Sequence, residues 1–299
     1  MLVEGTPRAE GTVERGGVRI AYQVFGSGPT AILLLPTWSI VHSDFWRGQV
    51  PHFADRYTVI AFDGRGSGKS DRPAEVAAYA EDLFAGDAIA VLDEVGVDRA
   101  AIVAASQGAA WGTILAARHP SRVQAAVFIG PSIPLAPPFV ERAAAFAVFD
   151  APQARYDGWL KFNRHYWLAN WPDFLSFFFG RCFTEPNSEP FIRHFVEMGL
   201  QTTPAVVAAT VDAPGLDAPA ARELAAAIEC PVLVIHGDAD AIAPVARGAE
   251  LARLSGGELH VLPGSGHEPQ SRDPLRTNAL IGAFLDRYHP AAGGRASGG

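Results

Sequence analysis

The stretch Ile102-Val103-Ala104-Ala105-Ser106-Gln107-Gly108 joins the end of a short apolar run to a serine and a glycine. The apolar residues predict a buried strand, and the residues that follow have helical periodicity, so Ser106 stands at a sharp strand-to-helix turn. Such a turn projects the hydroxyl above the sheet and needs small residues two positions before and after the serine, usually as G-x-S-x-G. Here Ala104 replaces the first glycine. Alone the pattern is a weak signal, because a turn with an unimportant serine looks the same.

Outward from this turn, short apolar runs alternate with stretches of helical periodicity. Runs that are apolar throughout are typical of strands buried on both faces, as in a parallel sheet. The predicted strands are Val18–Phe25, Ala31–Leu35, Tyr57–Phe62, Ala100–Ala105, Ala125–Ile129, Pro231–Ile235 and Glu258–Leu262, and the predicted helices are Tyr79–Val95, Gln107–His119, Pro244–Leu254 and Pro274–Tyr288. The alternation predicts an open, mostly parallel α/β sheet.

One long segment interrupts the alternation. Residues 131–229 contain no convincing buried strand, and they hold more than half of the chain's phenylalanines, tyrosines and tryptophans. This composition predicts a helical cap inserted into an α/β core, whose two parts are residues 12–130 and 230–288. The Gly- and Pro-rich tail 289–299 is predicted to be disordered.

Two later segments supply the side chains that a serine nucleophile requires. The run Val232–Ile235 leads into a loop with Asp238 and Asp240, and His267 follows the next run in a glycine-rich loop. Parallel strands end at one edge of a sheet, so an acid and a histidine there can converge on Ser106. Enzymes whose nucleophilic serine lies at this kind of strand-to-helix turn have their catalytic residues in the chain order serine, aspartate, histidine. The pattern favours His267 as the base, with a carboxylate that orients its imidazole.

Together these motifs resemble the α/β-hydrolase superfamily, in its lidded serine esterase or lipase-like branch, over about residues 16–288. The turn Phe62–Ser70 is also very like that family's D-x-R-G-x-G-x-S turn. The resemblance implies a twisted, mostly parallel eight-stranded sheet flanked by helices, with a helical cap after the sixth strand. It also implies that the acid lies three residues after the glycine of a G-x-x-D loop, which favours Asp240 over its competitor Asp238.

The resemblance further implies where an oxyanion would be held. One donor is the Gln107 amide, and the other, by its position in the loop after Leu35, is the Trp38 amide. Relatives carry His-Gly in that loop, whereas this chain has Pro36-Thr37-Trp38. Proline lacks an amide proton and restricts φ, so this is where the chain departs from the family pattern.

An aromatic-rich cap over a polar triad predicts a largely apolar substrate pocket. Candidate pocket residues are Thr37, His42, Trp159 and Trp167. For His42 the alternative is a satisfied histidine outside the pocket. Trp111, one turn beyond Gln107, is predicted to pack in the core rather than in the pocket.

Composition excludes several other classes of protein. The net charge is −8 without a basic block, which argues against nucleic acid and anionic membranes as partners. No apolar run approaches the roughly 20 residues of a membrane span, and no signal peptide is recognisable. Two distant cysteines form no disulfide framework, which favours the cytoplasm. No histidine spacing indicates a metal site. A homo-oligomer is compatible with the sequence, which gives no signal for it.

The sequence therefore predicts a hydrolase that cleaves an ester, thioester or related acyl bond of a hydrophobic small molecule, with no cofactor. Acyl transfer and carbon–carbon bond hydrolysis use the same residues and stay open as alternatives. The non-enzymatic alternative is a protein that binds a ligand in the pocket without turnover.

Overall fold

The structure, a computed structural model, describes residues 6–288, and the predicted tail 289–299 lies outside them. Its centre is a sheet of eight strands: β1 (Ala9–Arg15), β2 (Val18–Phe25), β3 (Ala31–Leu34), β4 (Thr58–Phe62), β5 (Ala100–Ala105), β6 (Val123–Ile129), β7 (Val232–Gly237) and β8 (Glu258–Leu262). Their order is β1-β2-β4-β3-β5-β6-β7-β8. β2 is antiparallel to both of its neighbours, and the other pairings are parallel. The predicted fold class is confirmed.

The central strands are apolar along their length because both faces of the sheet are covered. β3, β4 and β5 are buried at every residue, and alternate side chains enter two separate buried clusters, one on each face. The edge strands differ, since β1 has no buried residue and the middle of β8 is exposed. An exposed edge strand lacks a continuous apolar signal, which is why the apolar pattern does not reveal β1.

Eleven α-helices accompany the sheet within residues 6–288. They are α1 (Val50–Ala54), α2 (Glu81–Val95), α3 (Gly108–Arg118), α4 (Val140–Ala147), α5 (Arg164–Cys182), α6 (Glu189–Gly199), α7 (Pro204–Asp212), α8 (Ala218–Ala226), α9 (Val245–Ser255), α10 (Pro269–Arg272) and α11 (Pro274–Tyr288). Five of them, α4 to α8, lie between β6 and β7, which places a helical insertion after the sixth strand, as predicted.

The insertion lies over the carboxyl edge of the parallel strands, and hydrogen bonds hold it there. The Trp38 indole donates to Thr210 of α7 at 2.7 Å. The Thr202 hydroxyl donates to the Gly66 carbonyl in the loop after β4 at 2.9 Å. The helices α4 to α7 therefore cover the loops in which the candidate site residues lie.

The last helix of the insertion packs differently. α8 contacts α3 and α9, and its residues Ala221 and Ala225 belong to the same buried cluster as Ile102 of β5. We therefore propose that the cap ends before α8, which shortens the predicted cap of residues 131–229 and assigns α8 to the core.

Within residues 6–288, no helix combines the length and the apolar character that a membrane crossing requires.

Candidate active site

Ser106 lies at the turn between β5 and α3 with a φ of 52°. This left-handed conformation costs a non-glycine residue about 1 kcal/mol or more, so the surrounding structure has to enforce it. The Ser106 amide donates to the Ile129 carbonyl of β6 at 2.9 Å. A Cβ placed on Gly112 of α3 would lie 3.2 Å from the Cβ of Ala104. Strand and helix thus pass so closely that position 104 needs a small residue.

Replacing Gly108 by alanine is expected to lower the free energy of unfolding by about 1–3 kcal/mol. A Cβ at Gly108 would lie 2.3 Å from the carbonyl oxygen of Pro36, so the loop after β3 would have to move. Urea unfolding measures the change. Gly180→Ala in α5 is the matched control, because a Cβ there meets no atom within 4 Å, and it should gain at most about 1 kcal/mol. Equal losses in both variants would contradict the close approach.

Ser106, His267 and Asp240 form one hydrogen-bonded chain. The Ser106 hydroxyl donates to His267 Nε2 at 2.8 Å, and His267 Nδ1 donates to Asp240 Oδ2 at 2.7 Å. The other carboxylate oxygen of Asp240 accepts from the amides of Ile242 and Ala243 at 2.7 and 2.9 Å. The three side chains follow β5, β7 and β8, whose ends meet at the carboxyl edge of the sheet.

A second histidine supports Asp240. His236 is fully buried at the end of β7, and its Nε2 is 3.1 Å from Asp240 Oδ2 and 3.0 Å from the Ala243 carbonyl. Because a carbonyl can only accept, His236 Nε2 carries the proton and donates to the carboxylate as well. The competing acid, Asp238, is exposed and accepts from the Gly264 amide at 2.6 Å. The structure thus brings Asp240, not Asp238, to His267.

Burial opposes the charge on Asp240 and on His267, and their mutual contact outweighs that effect. Burial would raise the pKa of Asp240, yet the charge of His267 and hydrogen bonds from His236 and His267 hold that pKa well below its usual range. Burial would lower the pKa of His267, but Asp240 and, to a smaller extent, Glu268 raise it above its ordinary value. The pair therefore consists of a carboxylate beside an imidazole with increased proton affinity.

Another buried carboxyl group, which no sequence motif indicates, lies beside the imidazole. Glu268 Oε1 is 3.9 Å from His267 Nε2, and Glu268 Oε2 accepts from Gln270 Nε2 at 2.5 Å. Burial raises the pKa of Glu268 to about 7, against the opposing charge of His267. Near neutral pH this carboxyl group is therefore only partly ionised.

The cap also contacts the histidine loop through its backbone. The His267 amide donates at 2.8 Å to the carbonyl of Cys182, the last residue of α5, and Glu185 Oε1 accepts from the Gly266 amide at 2.8 Å. The position of His267 thus depends on the cap as well as on the sheet.

The two residues predicted to supply the oxyanion donors, Gln107 and Trp38, border the cavity that contains Ser106. Among the described residues, neither the Gln107 amide nor the Trp38 amide donates a hydrogen bond, so both are available to a ligand. The side chains of Gln107 and Trp38 line the same cavity as Ser106. The Pro36 carbonyl lies against Gly108, which holds the loop after β3 beside the start of α3.

A cavity of about 370 Å³ opens beside Ser106 under the cap. Its polar lining includes Glu81, Ser132, Arg142 and Arg247, and its apolar lining includes Trp38, Phe84, Trp111, Phe146, Phe162, Phe178 and Ile242. A mostly apolar enclosure of this size suits a small organic molecule. In the described part of the chain, no group of three His, Cys, Asp or Glu side chains is placed to hold a metal ion.

The family model of the α/β hydrolase fold matches residues 30–274, which include strands β3 to β8, the cap and the site. The chain belongs to the α/β hydrolase fold family. The matched range includes the segments that carry Ser106, Asp240 and His267.

Individual relatives agree with this assignment. The 2-hydroxymuconate semialdehyde hydrolase of Pseudomonas sp. (strain CF600) is 31% identical over 273 residues, which are 90% of this chain and 87% of that protein. The esterase RhEst1 from Rhodococcus sp. ECU1013 superposes with a TM-score of 0.73 at 25% identity, covering 93% of this chain and 98% of the esterase. A bromoperoxidase from Bacillus anthracis has a TM-score of 0.77 at 21% identity, covering 93% and 100% of the two chains, and shows the fold alone. The chain is an α/β-hydrolase-fold enzyme of the hydrolase class.

The four candidate pocket residues do not line the cavity of this α/β hydrolase. Thr37 is buried, and His42 Nδ1 accepts from the Asp44 amide at 3.3 Å. Trp167 is fully buried among cap aromatics, and Trp159 packs edge-on against a neighbouring ring of the cap. Both tryptophans pack against other aromatic residues of the cap, so the cavity is lined by other residues.

Several residues that line the cavity were not predicted as pocket residues from the sequence. Trp111 is buried and stacked on Phe84 at 3.8 Å, as expected for core packing, but it also lines the cavity. Ser132, whose hydroxyl is 3.4 Å from that of Ser106, follows β6, and its position after a strand could have marked it as a site residue. Nothing in the sequence marks Arg142 and Arg247 in this way, since an arginine on a helix is ordinarily a surface residue.

Proposed function

We propose that this α/β hydrolase cleaves an ester, thioester or related acyl bond of a small molecule, with Ser106 as nucleophile, His267 as general base and Asp240 as the acid behind it. The observation that carries the proposal is the hydrogen-bonded chain of the three side chains, with links of 2.8 and 2.7 Å. The 2.8 Å link suits proton transfer from Ser106 to His267, and the 2.7 Å link suits a charge-assisted hydrogen bond that orients the imidazole.

The proposed reaction has two halves. Ser106 Oγ bonds to the carbonyl carbon while His267 Nε2 takes the hydroxyl proton and an electron pair moves onto the carbonyl oxygen. The tetrahedral intermediate then expels the alcohol or thiol, which takes the proton from His267, and an acyl ester remains on Ser106. Water gives a proton to His267 as it attacks this ester, and the acid product leaves as Ser106 regains its proton. No cofactor enters these steps.

Asp240 and two backbone amides support the charges that form. Asp240 keeps His267 in the tautomer whose Nε2 can accept, and it stabilises the imidazolium. We assign the oxyanion to the amides of Gln107 and Trp38, which are free of other partners in the described chain. One such donor is worth about 10²–10³ in rate.

The same residues could serve acyl transfer, in which an alcohol or amine replaces water, or hydrolysis of a carbon–carbon bond beside a carbonyl. The cavity admits all three reactions, since each needs the same nucleophile and oxyanion donors. We favour hydrolysis of an acyl bond with a hydrophobic portion, because the cavity wall is mostly aromatic and aliphatic.

Treatment with a fluorophosphonate, followed by digestion and mass spectrometry, tests the proposal. Ser106 should be labelled, and the label should disappear in His267→Ala, because the hydroxyl then has no base. A folded parent protein that stays unlabelled would favour ligand binding without turnover. With p-nitrophenyl esters, longer acyl chains should react faster than acetate. Alkyl ester formed in the presence of added alcohol would indicate acyl transfer.

Glu268→Gln is expected to move the acidic limb of the activity profile to lower pH. The Glu268 carboxylate contributes to the raised pKa of His267, and His267 has to be neutral to take the serine proton. Because Glu268 is only partly ionised where His267 titrates, removing its partial negative charge lowers that pKa modestly, and activity should persist slightly further into acid. The pH dependence of kcat/KM measures the shift, and an unmoved limb would show that Glu268 does not act on His267.

The same substitution should alter stability with the opposite sign from an ordinary ion-paired carboxylate. Burial raises the pKa of Glu268 from 4.5 to about 7, so the folded state holds this proton more tightly than the unfolded chain does. Stability is therefore lost as pH rises through that window. At pH values above that window, the free energy of unfolding of Glu268→Gln should exceed that of the parent by up to about 3 kcal/mol. Urea unfolding at several pH values, with exposed Glu197→Gln as control, measures the difference.

A further inference from the structure

Two arginines without a carboxylate partner line the same cavity as Ser106. Arg142 of α4 is 9% exposed and Arg247 of α9 is 8% exposed. Within residues 6–288 their hydrogen bonds go to backbone carbonyls and not to Asp or Glu. Charged side chains are almost never this buried unless they are paired, because removal from water is costly. The pair therefore calls for an explanation.

Hydrogen bonds within the protein use only some of the N–H donors of each guanidinium group. Arg142 Nη1 donates to the Ile242 carbonyl, and Arg247 donates to the carbonyls of Ala136 and Ser132 at 3.0 and 2.8 Å. Arg142 Nε is buried without any partner. In the part of the chain that the structure describes, the Nη2 groups of both arginines form no hydrogen bond either. Buried donors that a protein leaves open are candidates for ligand contacts.

No carboxylate among the described residues forms an ion pair with Arg142, and the charge of Asp240, which favours the guanidinium, is outweighed. Burial, followed by the charge of Arg247, lowers the pKa of Arg142 to about 10, so the two guanidinium groups repel each other. The rings of Trp159 and Phe146 lie 5.0 and 5.5 Å from the Arg142 guanidinium and compensate its charge only in part.

The nearby carboxylates are committed elsewhere. Asp240 is hydrogen-bonded to His267. Glu81 is the one carboxylate among the described residues that line the cavity, and it accepts from the Gln107 side chain and from the Leu216 amide. The charge of Asp240 favours both guanidinium groups, but neither carboxylate forms an ion pair with them in the described chain, so the arginines keep donors for an anionic ligand.

Arg247 lies close to the candidate nucleophile. Arg247 donates to the carbonyl of Ser132, and the hydroxyl of Ser132 is 3.4 Å from that of Ser106. A single residue thus separates the Arg247 guanidinium from the reacting hydroxyl. A group bound to the arginines and a carbonyl at Ser106 can therefore belong to one small molecule.

We propose that the substrate carries a free carboxylate in addition to the acyl bond that is cleaved, and that Arg142 and Arg247 bind this carboxylate. The inference rests on the proposed function and adds a substrate class to it, the monoesters of dicarboxylic acids. The Nη2 groups of Arg142 and Arg247 have no partner among the described residues, so each can donate to a carboxylate oxygen in a charge-assisted hydrogen bond.

The parent enzyme alone can test the proposal. Monoethyl esters of dicarboxylic acids, from succinate to suberate, are compared with ethyl esters of fatty acids of equal carbon number by release of ethanol. At least one charged ester should exceed its neutral match by about tenfold or more in kcat/KM, as expected for hydrogen bonds to a charged group. A neutral ester that reacts faster at every length would overturn the inference.

Substitution of the arginines locates the effect. Arg142→Met and Arg247→Met keep an apolar side chain of similar length, and each should lower kcat/KM for the preferred charged ester about 10–100-fold. The neutral ester should change less than about threefold, since it makes no contact with the charge. Arg193→Met, on an exposed position of α6, is the control for loss of a positive charge. Equal losses on charged and neutral esters would contradict a role in binding the carboxylate.

The outcomes separate this inference from the function on which it rests. If fluorophosphonate labels Ser106 and neutral esters turn over but no charged ester is preferred, the inference fails and the hydrolase function stands. If Ser106 is not labelled and no ester reacts, the proposed function fails first. Should a methionine variant not fold, the comparison of esters on the parent enzyme still decides.

Discussion

Replacing Ser106 by alanine is expected to lower kcat for ester hydrolysis by about 10⁵- to 10⁶-fold, the largest effect of any single substitution. The hydroxyl that donates to His267 at 2.8 Å is lost, so no acyl-enzyme can form. The oxyanion donors and the binding of substrate remain, and they still accelerate the reaction, by a smaller factor, relative to the uncatalysed reaction in water. Initial rates with a p-nitrophenyl ester and fluorophosphonate labelling measure the loss.

The matched control is Ser132→Ala. Its hydroxyl lies 3.4 Å from that of Ser106, so it shares the same cavity, but it forms no hydrogen bond with His267. Its removal should change kcat by less than about tenfold, the effect of one neutral hydrogen bond. A loss in Ser132→Ala as large as that in Ser106→Ala would show that the nucleophile is wrongly assigned.

Asp240→Asn is expected to lower kcat by about 10³- to 10⁴-fold. Two N–H groups, from His267 Nδ1 and His236 Nε2, point at Asp240 Oδ2. An amide oxygen at that position can still accept, but the opposite side then presents an NH₂ group to the amides of Ile242 and Ala243, which are also donors. Either orientation of the amide therefore opposes donors, and the imidazole loses both its anion and its fixed tautomer.

Asp238→Asn tests the alternative acid at the same time. Asp238 is exposed and bonds to the Gly264 amide, so its substitution should change kcat by less than about threefold. Both variants keep the size of the side chain, and melting temperatures show whether either has lost its fold. A greater loss in Asp238→Asn than in Asp240→Asn would reverse the assignment.

The features that sequence reasoning reaches are those set by local pattern. Ser106 and Asp240 follow buried strands and His267 follows the edge strand β8; because parallel strands end at one edge, their order along the chain is enough to bring them together. The same rule gives the central strands. It does not give β1, whose residues are exposed on the sheet edge and therefore lack the apolar pattern.

The features that sequence reasoning misses depend on how helices pack. Trp159 and Trp167 are natural candidates for an apolar pocket, yet they pack against other cap aromatics and leave the lining to Phe146 and Phe178. Arg142 is buried only because α4 lies against the loop that carries Ile242. Such contacts arise between segments distant in sequence, and composition alone does not fix them.

The hydrogen bond from the His267 amide to the Cys182 carbonyl joins the cap to the proposed base. If the end of α5 lifts from the sheet to admit substrate, this bond breaks and the base loses one of its supports. Access and competence are then coupled, so that the enzyme reaches full activity only after it has closed on its substrate. Such coupling would protect the acyl intermediate and limit turnover by the rate of cap movement rather than by bond cleavage.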